Sequence, residues 1–340
     1  MGAPQVRDVA ERAGVSPGTV SNALNHPDRV TASTYARVQA AIKELGYVRN
    51  EAARQLRSGF NVAVGMIVLD AGNPYFTNLA GGAELQLAEQ GRPLLLGNSS
   101  QQSDRELTYL DLFEQQRVSG ILIVPVGDVV PRLQKLKETG VAVVIMDRKA
   151  GDGELSSVSV DDVRGGWLAA DHLISQGARR VMVIGGPQSL GQVRDRLRGA
   201  ESRAQEGREN VAVEYSDSGA MDAAAGRRAA EQLLARPPDQ RPDGIFAAND
   251  LIALGALQVL VRAGVHVPGT MMLAGYDDIE FAANATIPIT SVRQPSAEMG
   301  KHAAKLLERA IKDPCSPVEH TVFQPQLIAR ESTQAHTKIS

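Results

Sequence analysis

The sequence predicts an all-α helix-turn-helix headpiece followed by an α/β core of two doubly wound parallel-sheet lobes. Three observations carry this reading. Residues 1–49 hold three short stretches with apolar side chains at helical spacing. Beyond Gly59 short apolar runs alternate with helix-length stretches, the pattern of a parallel sheet covered by helices. The chain has 340 residues, more than one domain of roughly 100–200 residues, and its apolar runs outnumber the strands of a single lobe.

In the first stretch Val6, Val9, Ala10 and Ala13 fall at i, i+3, i+4 and i+7, one face of a helix that Gly14 stops. Ser16 is suited to cap the next helix. Pro17 takes the first helical position, where a missing amide costs nothing. A second helix therefore starts after a tight turn and runs to about Leu24, with Val20 and Leu24 inward and Thr19, Ser21 and Asn22 outside. Thr31 caps a third, whose Val38, Ala41, Ile42 and Leu45 repeat at helical spacing before Gly46 ends it. In a helix-turn-helix unit the N-terminal half of the second helix enters the DNA major groove, which would turn Pro17, Gly18, Ser21 and Asn22 toward base edges. Spacing alone fits a three-helix protein-interaction module equally well.

The core reads as a series of apolar runs: Val62 to Asp70, Leu94 to Asn98, Ile121 to Val126, Val141 to Asp147, Val181 to Gly186, Ile245 to Asn249 and Met271 to Asp277. Buried parallel strands have this continuous apolar character. Ligands of open α/β sheets bind beyond the carboxyl ends of the strands, so the closing residues Asp70, Asn98, Asp147, Gly186, Asn249 and Asp277 are candidates. Carboxylates and amides converging on one crevice suit a neutral, hydroxyl-rich ligand. Singly, each Asp or Asn is as readily the cap of the next helix.

Composition excludes several classes. The 43% hydrophobic and 22% charged content is that of an ordinary globular protein. Cys315 is the only cysteine, which rules out an intramolecular disulfide framework and a multi-cysteine zinc site and suits a reducing compartment. No apolar run has the length of a membrane span, and Met1 to Asn25 lacks a signal-peptide block, so a cytoplasmic protein is expected. Residues 1–60 carry eight Lys or Arg against five Asp or Glu, which leaves +3 there and −6 on the remainder of a chain of net charge −3. This permits a nucleic-acid face at the N-terminus.

The run VRDVAERAGVSPGTVSNALNHPDRV from Val6 to Val30, followed by YVRNEAARQLRSG from Tyr47 to Gly59, closely resembles the DNA-binding headpiece of the LacI/GalR family of transcriptional regulators. The resemblance extends over about 55 residues. It implies double-stranded operator DNA as partner, with Ser16, Pro17, Gly18, Thr19, Ser21, Asn22, Asn25, Arg29 and Thr34 as candidate contacts in residues 1–49. It further implies that residues 50–60 are a hinge whose helix folds on the operator, with Asn50, Ala53 and Leu56 at the minor groove. An apolar wedge between base steps kinks DNA and is offset by the added contact, and a nine-residue helix does not persist alone. Where many family members carry arginine this chain has Asn22, and Gly18 replaces a longer polar side chain. Arginine reads guanine and asparagine favours adenine, so the half-site preference is left open.

Further matches are DAGNPYF from Asp70 to Phe76, IMDR from Ile145 to Arg148, RLRG from Arg196 to Gly199, AND from Ala248 to Asp250, GYDD from Gly275 to Asp278, TSVRQP from Thr290 to Pro295 and RES from Arg330 to Ser332. They resemble the effector-binding core of the same family, which is similar to periplasmic sugar-binding proteins and has three crossings between lobes. The resemblance implies a core over 61–340, with lobe 1 about 61–160 and 292–323 and lobe 2 about 161–291 and 324–340. It puts Asp70, Tyr75, Phe76 and Asp147 on one wall of an effector site, Arg196, Asn249 and Asp277 on the other, and Gln294 on a crossover strand. Arg196 is then a donor fork for ligand oxygens, and Tyr75 or Phe76 a face for a sugar ring. Met221 borders the site, and Trp167 is expected in the core.

The implied protein is a dimeric repressor whose operator affinity responds to a sugar-like effector, with no cofactor and no bound metal. A homodimer is expected, since the chain ends within ten residues of Arg330, without the extra helix that makes some relatives tetramers. An enzyme is disfavoured. The run GGPQSLG from Gly185 to Gly191 is not a dinucleotide fingerprint, no P-loop or nucleophile elbow occurs, and His172, His302 and His320 stand apart. A secreted solute-binding protein would need a signal peptide and has no use for residues 1–60.

Overall fold

The computed structural model describes residues 4–47, 62–149, 153, 155–207 and 210–334. The chain divides into two units, Met1–Asn61 and Val62–Ser340. The first is built from three helices, α1 (Val6–Ala13), α2 (Pro17–Asn25) and α3 (Ala32–Leu45). Each boundary is set by the expected chemistry. Gly14 ends α1 in the left-handed region at φ 64°, Ser16 Oγ accepts the Thr19 amide at 3.1 Å, and Thr31 Oγ1 accepts the Thr34 amide at 3.3 Å. Val9, Val20 and Val38 are fully buried and meet Ala10, Ala13, Ala23 and Ala41 in a small core. Arg12 on α1 and Glu44 on α3 form an exposed ion pair at 2.7 Å across that core's rim.

The second unit holds two six-stranded sheets. The first is made of β1 (Val64–Val68), β2 (Leu94–Asn98), β3 (Gly120–Ile123), β4 (Ala142–Met146), β5 (Ser156–Val160) and β11 (His320–Phe323), in the order β11-β5-β4-β3-β1-β2. The second is made of β6 (Arg180–Gly185), β7 (Ala212–Asp217), β8 (Gly244–Ala247), β9 (Met272–Asp277), β10 (Thr290–Arg293) and β12 (Gln326–Ile328), in the order β12-β10-β9-β8-β6-β7. All pairings are parallel except β10 with β12. The chain passes between the sheets three times, after β5, β10 and β11.

Helices cover both faces of each sheet. Around the first lie α4 (Pro74–Ala88), α5 (Ser103–Gln115), α6 (Val130–Glu138) and, returning late in the chain, α12 (Ser296–Lys312). Around the second lie α7 (Asp162–Ser175), α8 (Gly191–Glu206), α9 (Ala223–Leu234), α10 (Asp250–Arg262) and the short α11 (Glu280–Ala283). The α7–α8 pair is unusually close. A β-carbon on Gly166 would lie 1.9 Å from the Arg196 carbonyl oxygen, and one on Gly199 would lie 2.0 Å from that of Val163, so glycine at both positions lets the backbones touch.

The apolar-run pattern misses β5, β7, β10, β11 and β12 as strands, because each carries polar side chains where buried parallel strands are normally apolar. Ser157 is buried in β5 and meets His320 Nδ1 of β11 at 2.9 Å, which satisfies its hydroxyl. Trp167 departs from the core position expected of it. It is partly exposed on α7, with its indole N–H donating to Glu206 at 2.8 Å and the Arg164 guanidinium 4.1 Å above its ring.

Candidate functional site

In the headpiece the outward side of α2 presents Pro17, Gly18 and Asn22, all exposed, with Thr19 and Ser21 half-buried beside them, while Val20 and Ala23 hold the opposite side in the core. Arg29 is exposed in the turn after α2. Ser16 Oγ lies 2.9 Å from the Thr19 hydroxyl, and the Thr31 hydroxyl donates to that of Thr34 at 2.9 Å. These hydroxyls preorganise the helix starts. The side chain of Asn25, and Asn50, Ala53 and Leu56 entirely, lie outside the described residues.

In the second unit a cleft opens at the carboxyl ends of both sheets, with about 390 Å³ of empty space when its open mouth is included. The first sheet supplies Asp70 after β1, Asp147 after β4, and Tyr75 and Phe76 in the first turn of α4. The second supplies Asp277 at the end of β9, Asn249 after β8, Arg196 on α8 and Met221 before α9. Leu69, Asn73, Gln101, Leu190 and Gln192 complete the lining, and strand-end reasoning does not reach them because they sit in loops and first helical turns. Asn98 and Gly186 are not among the lining residues. Gln294 stands behind the wall, its amide donating to Asp277 Oδ1 at 2.8 Å.

The wall is held by its own hydrogen bonds. The Tyr75 hydroxyl donates to Asp147 Oδ1 at 2.6 Å, and its ring packs edge-on against Phe76 with centroids 4.9 Å apart. Asn249 Oδ1 caps α10 by accepting the Ile252 amide at 2.9 Å, while its amide donates to the Met221 carbonyl at 2.9 Å. For this residue the helix-cap reading and a place in the cavity wall hold together. Arg196 is only 3% exposed. Its Nε donates to Asp162 Oδ1 at 2.7 Å, its Nη1 to the Ala248 carbonyl at 2.6 Å, and its guanidinium carbon lies 3.6 Å from the Tyr276 ring centroid. Two of its three nitrogens, Nε and Nη1, are thus engaged by the protein.

Burial sets the acidity of the site. It pushes the Asp147 carboxyl up to about 7, reinforced by the charge of Asp162, and that of Asp277 to about 6 despite nearby Arg196. Burial also raises the Tyr75 hydroxyl well above its ordinary value, with Asp147 adding to it. Asp147 and Asp277 have left-handed backbones, φ 56° and 104°, as does Gln101 at 60°. Such conformations gather at binding sites where the surroundings hold them. Among the described residues no group of three His, Cys, Asp or Glu is placed to hold a metal ion, and no helix is long and apolar enough to cross a membrane.

Comparison with known proteins finds a family match within each unit. Residues 5–50 match the bacterial regulatory proteins of the lacI family, and residues 170–333 match the periplasmic binding protein-like domain. The chain is similar to the ribose operon repressor of Escherichia coli (strain K12), 33% identical over 96% of this chain and 99% of that protein. It is similar also to the HTH-type transcriptional regulator CelR of Thermobifida fusca, 36% identical over 97% and 98% of the two chains. Among solved structures, the transcriptional regulator CelR–cellobiose complex matches with TM-score 0.70 and 32% identity, covering 97% of this chain and 99% of that one. The Lac repressor dimer bound to operator and the anti-inducer ONPF matches with TM-score 0.81 and 25% identity over 98% and 100%.

Proposed function

This chain belongs to the LacI family of bacterial regulatory proteins, and from that premise we propose that a sugar-like effector occupies its cleft cavity while the exposed face of α2 reads the operator. It is a DNA-binding transcriptional repressor whose operator affinity is under effector control. The observation that carries the assignment of the site is the convergence of Asp70, Asp147, Asn249 and Asp277, from the strand ends of two separate sheets, on one cavity with Tyr75 and Phe76 on its wall. Such a set offers acceptors for several hydroxyls and an apolar ring face for a sugar's C–H surface. Ligand between two lobes changes the angle between them, and effector and operator affinities are then linked by the same factor.

The hinge role of Asn50, Ala53 and Leu56 rests on the family resemblance. Pairing of two chains is supported by the core surface. Strand β2 is the unpaired edge of its sheet and exposes Leu95 and Leu96, beside Leu85 on α4 and Leu107 and Leu112 on α5. A row of apolar side chains at a free sheet edge is an aggregation liability unless a partner covers it, and a second copy covers it symmetrically.

The test is calorimetric titration of the full chain with D-ribose and cellobiose, the sugars named for relatives, in parallel with a gel-shift assay on operator DNA. A sugar that binds, loses binding in Asp147→Asn and alters operator affinity supports the reading. A chain whose operator affinity ignores every sugar it binds refutes it.

A further inference from the structure

Resting on the reading of the cleft as the effector site, we infer that Asp162 makes the cleft selective against anions, so that the effector is an uncharged polyol and not a phosphorylated or carboxylated sugar. Among the described residues lining the cavity, Arg196 is the one cation. A lone guanidinium on a cavity wall is ordinarily a clamp for phosphate or carboxylate, because its planar fork matches their oxygens. Here that charge is already balanced. Asp162 lies behind the wall in the first turn of α7, is itself buried, and holds Arg196 Nε at 2.7 Å. What an incoming ligand meets is therefore the excess of Asp70, Asp147 and Asp277 over a neutralised arginine.

The fixed dipoles at the cleft are arranged the same way. Helix N-termini are ready-made anion sites when their amides are free. Three that open toward the carboxyl ends of the sheets are closed by the chain's own side chains: Asn73 caps α4, Asp161 caps α7 and Asn249 caps α10. The starts of α8, between the lining residues Leu190 and Gln192, and of α5, next to the lining residue Gln101, have no side-chain cap. They are where an anion would have to sit against the acidic wall.

Each free hydroxyl of a neutral polyol donates to such a wall without adding charge. A phosphate adds up to two negative charges beside the Asp70 carboxylate and beside Asp147 and Asp277, whose buried carboxyls it drives further toward their neutral forms, and at an effective dielectric near 20 each like-charged pair costs on the order of a few hundredfold in affinity. Asp162, which does not line the cavity, contributes to the selectivity by neutralising Arg196.

The experiment measures matched pairs on the full chain by calorimetry and thermal shift: D-ribose against D-ribose 5-phosphate, D-glucose against D-glucose 6-phosphate and D-glucuronate, and cellobiose against cellobionate. Whichever uncharged member binds is expected to exceed its anionic partner by on the order of hundredfold or more. Asp162→Asn keeps an oxygen for Arg196 Nε and frees the arginine's charge, so the ratio narrows by about tenfold or more. Asp70→Asn, at the half-exposed edge of the wall and able to keep its turn with the Gly72 amide, narrows it too and serves should the first variant not fold. An anionic partner that binds the native chain as tightly as the uncharged sugar overturns the inference and leaves the effector site standing, as does a ratio that neither folded variant moves. A chain that binds nothing in the panel overturns the effector reading, and this inference with it.

Discussion

The side-chain amide of Asn73 donates to the Asp277 carboxylate at 3.1 Å, joining the start of α4 against one sheet to the end of β9 in the other. The same side chain caps α4, since its Oδ1 accepts the Tyr75 amide at 3.0 Å. Both functions are buried, with Asn73 4% and Asp277 8% exposed. One residue thus fixes a helix start and fastens the two lobes at the cavity mouth. Asn73→Asp separates these functions, because aspartate caps as well as asparagine but has no donor and sets carboxylate against carboxylate. A hydrogen bond to a charged group contributes about 1.5–3 kcal/mol. Effector affinity should fall by roughly tenfold to a hundredfold, and the effector-free radius of gyration measured by small-angle scattering should rise. Unchanged scattering and affinity would mean that the contact carries no closing force.

Asn22 is exposed on α2 among the candidate base-reading residues. Its amide matches the N6 and N7 edge of adenine, whereas arginine matches guanine, and each bidentate pair is worth about 1–3 kcal/mol of discrimination. Selection of bound sites from a random DNA pool should therefore give adenine at one position of each half-site for the native chain and guanine there for Asn22→Arg. Identical logos from the two proteins would remove Asn22 from the reading face.

Much of this was legible in the residues themselves, for reasons that differ by site. Gly14, Ser16, Thr31 and Gly46 declare the headpiece boundaries because capping is local chemistry, decided within four residues. Asp70, Asp147 and Asp277 are visible as polar ends of apolar runs. Asp162 is not, since its role comes from a partner 34 positions away on a helix that touches its own through glycines. Nor is the second function of Asn73, which depends on a contact across 204 positions. Trp167 misleads because size alone suggests burial, while the arginines flanking it on α7 and α8 hold its ring at the surface.

The acidity of Asp147 gives a pH signature. Its carboxyl is pushed up to about 7 by burial and by Asp162, against the opposing pull of Arg196 and the Tyr75 hydroxyl. An acid whose folded value lies above its unfolded value of about 4 holds its proton more tightly in the folded state. Its contribution to stability is therefore full at low pH and is lost as pH rises from about 4 to about 7. The amide of Asp147→Asn has no titrating proton, can accept from Tyr75, and tolerates the left-handed backbone at φ 56°. The Tm of the native chain should thus fall relative to that of Asp147→Asn as buffer pH is raised from about 5 to about 8. A difference that is constant across that range would show that Asp147 is ionised throughout.

Arg196 and Asp162 form a buried pair, and its removal has to be read through both partners. Truncating Arg196 to alanine leaves a buried carboxylate without its cation, a change that typically costs about 3–5 kcal/mol, and also deprives the Ala248 carbonyl of its donor. Loss of effector response in Arg196→Ala would by itself say nothing about ligand contact, because the second lobe is weakened at the same time. Replacing both charges resolves this. In Arg196→Met with Asp162→Asn no charge is left unpaired, the methionine fills the space against the Tyr276 ring, and neutral replacements of buried pairs are often tolerated. Denaturant unfolding should show the double variant recovering most of the stability lost in the single one. Calorimetric titration should show that it does not recover effector affinity, because the guanidinium that lines the cavity is gone. A double variant that regains both stability and affinity would make Arg196 a strut of the second lobe and nothing more.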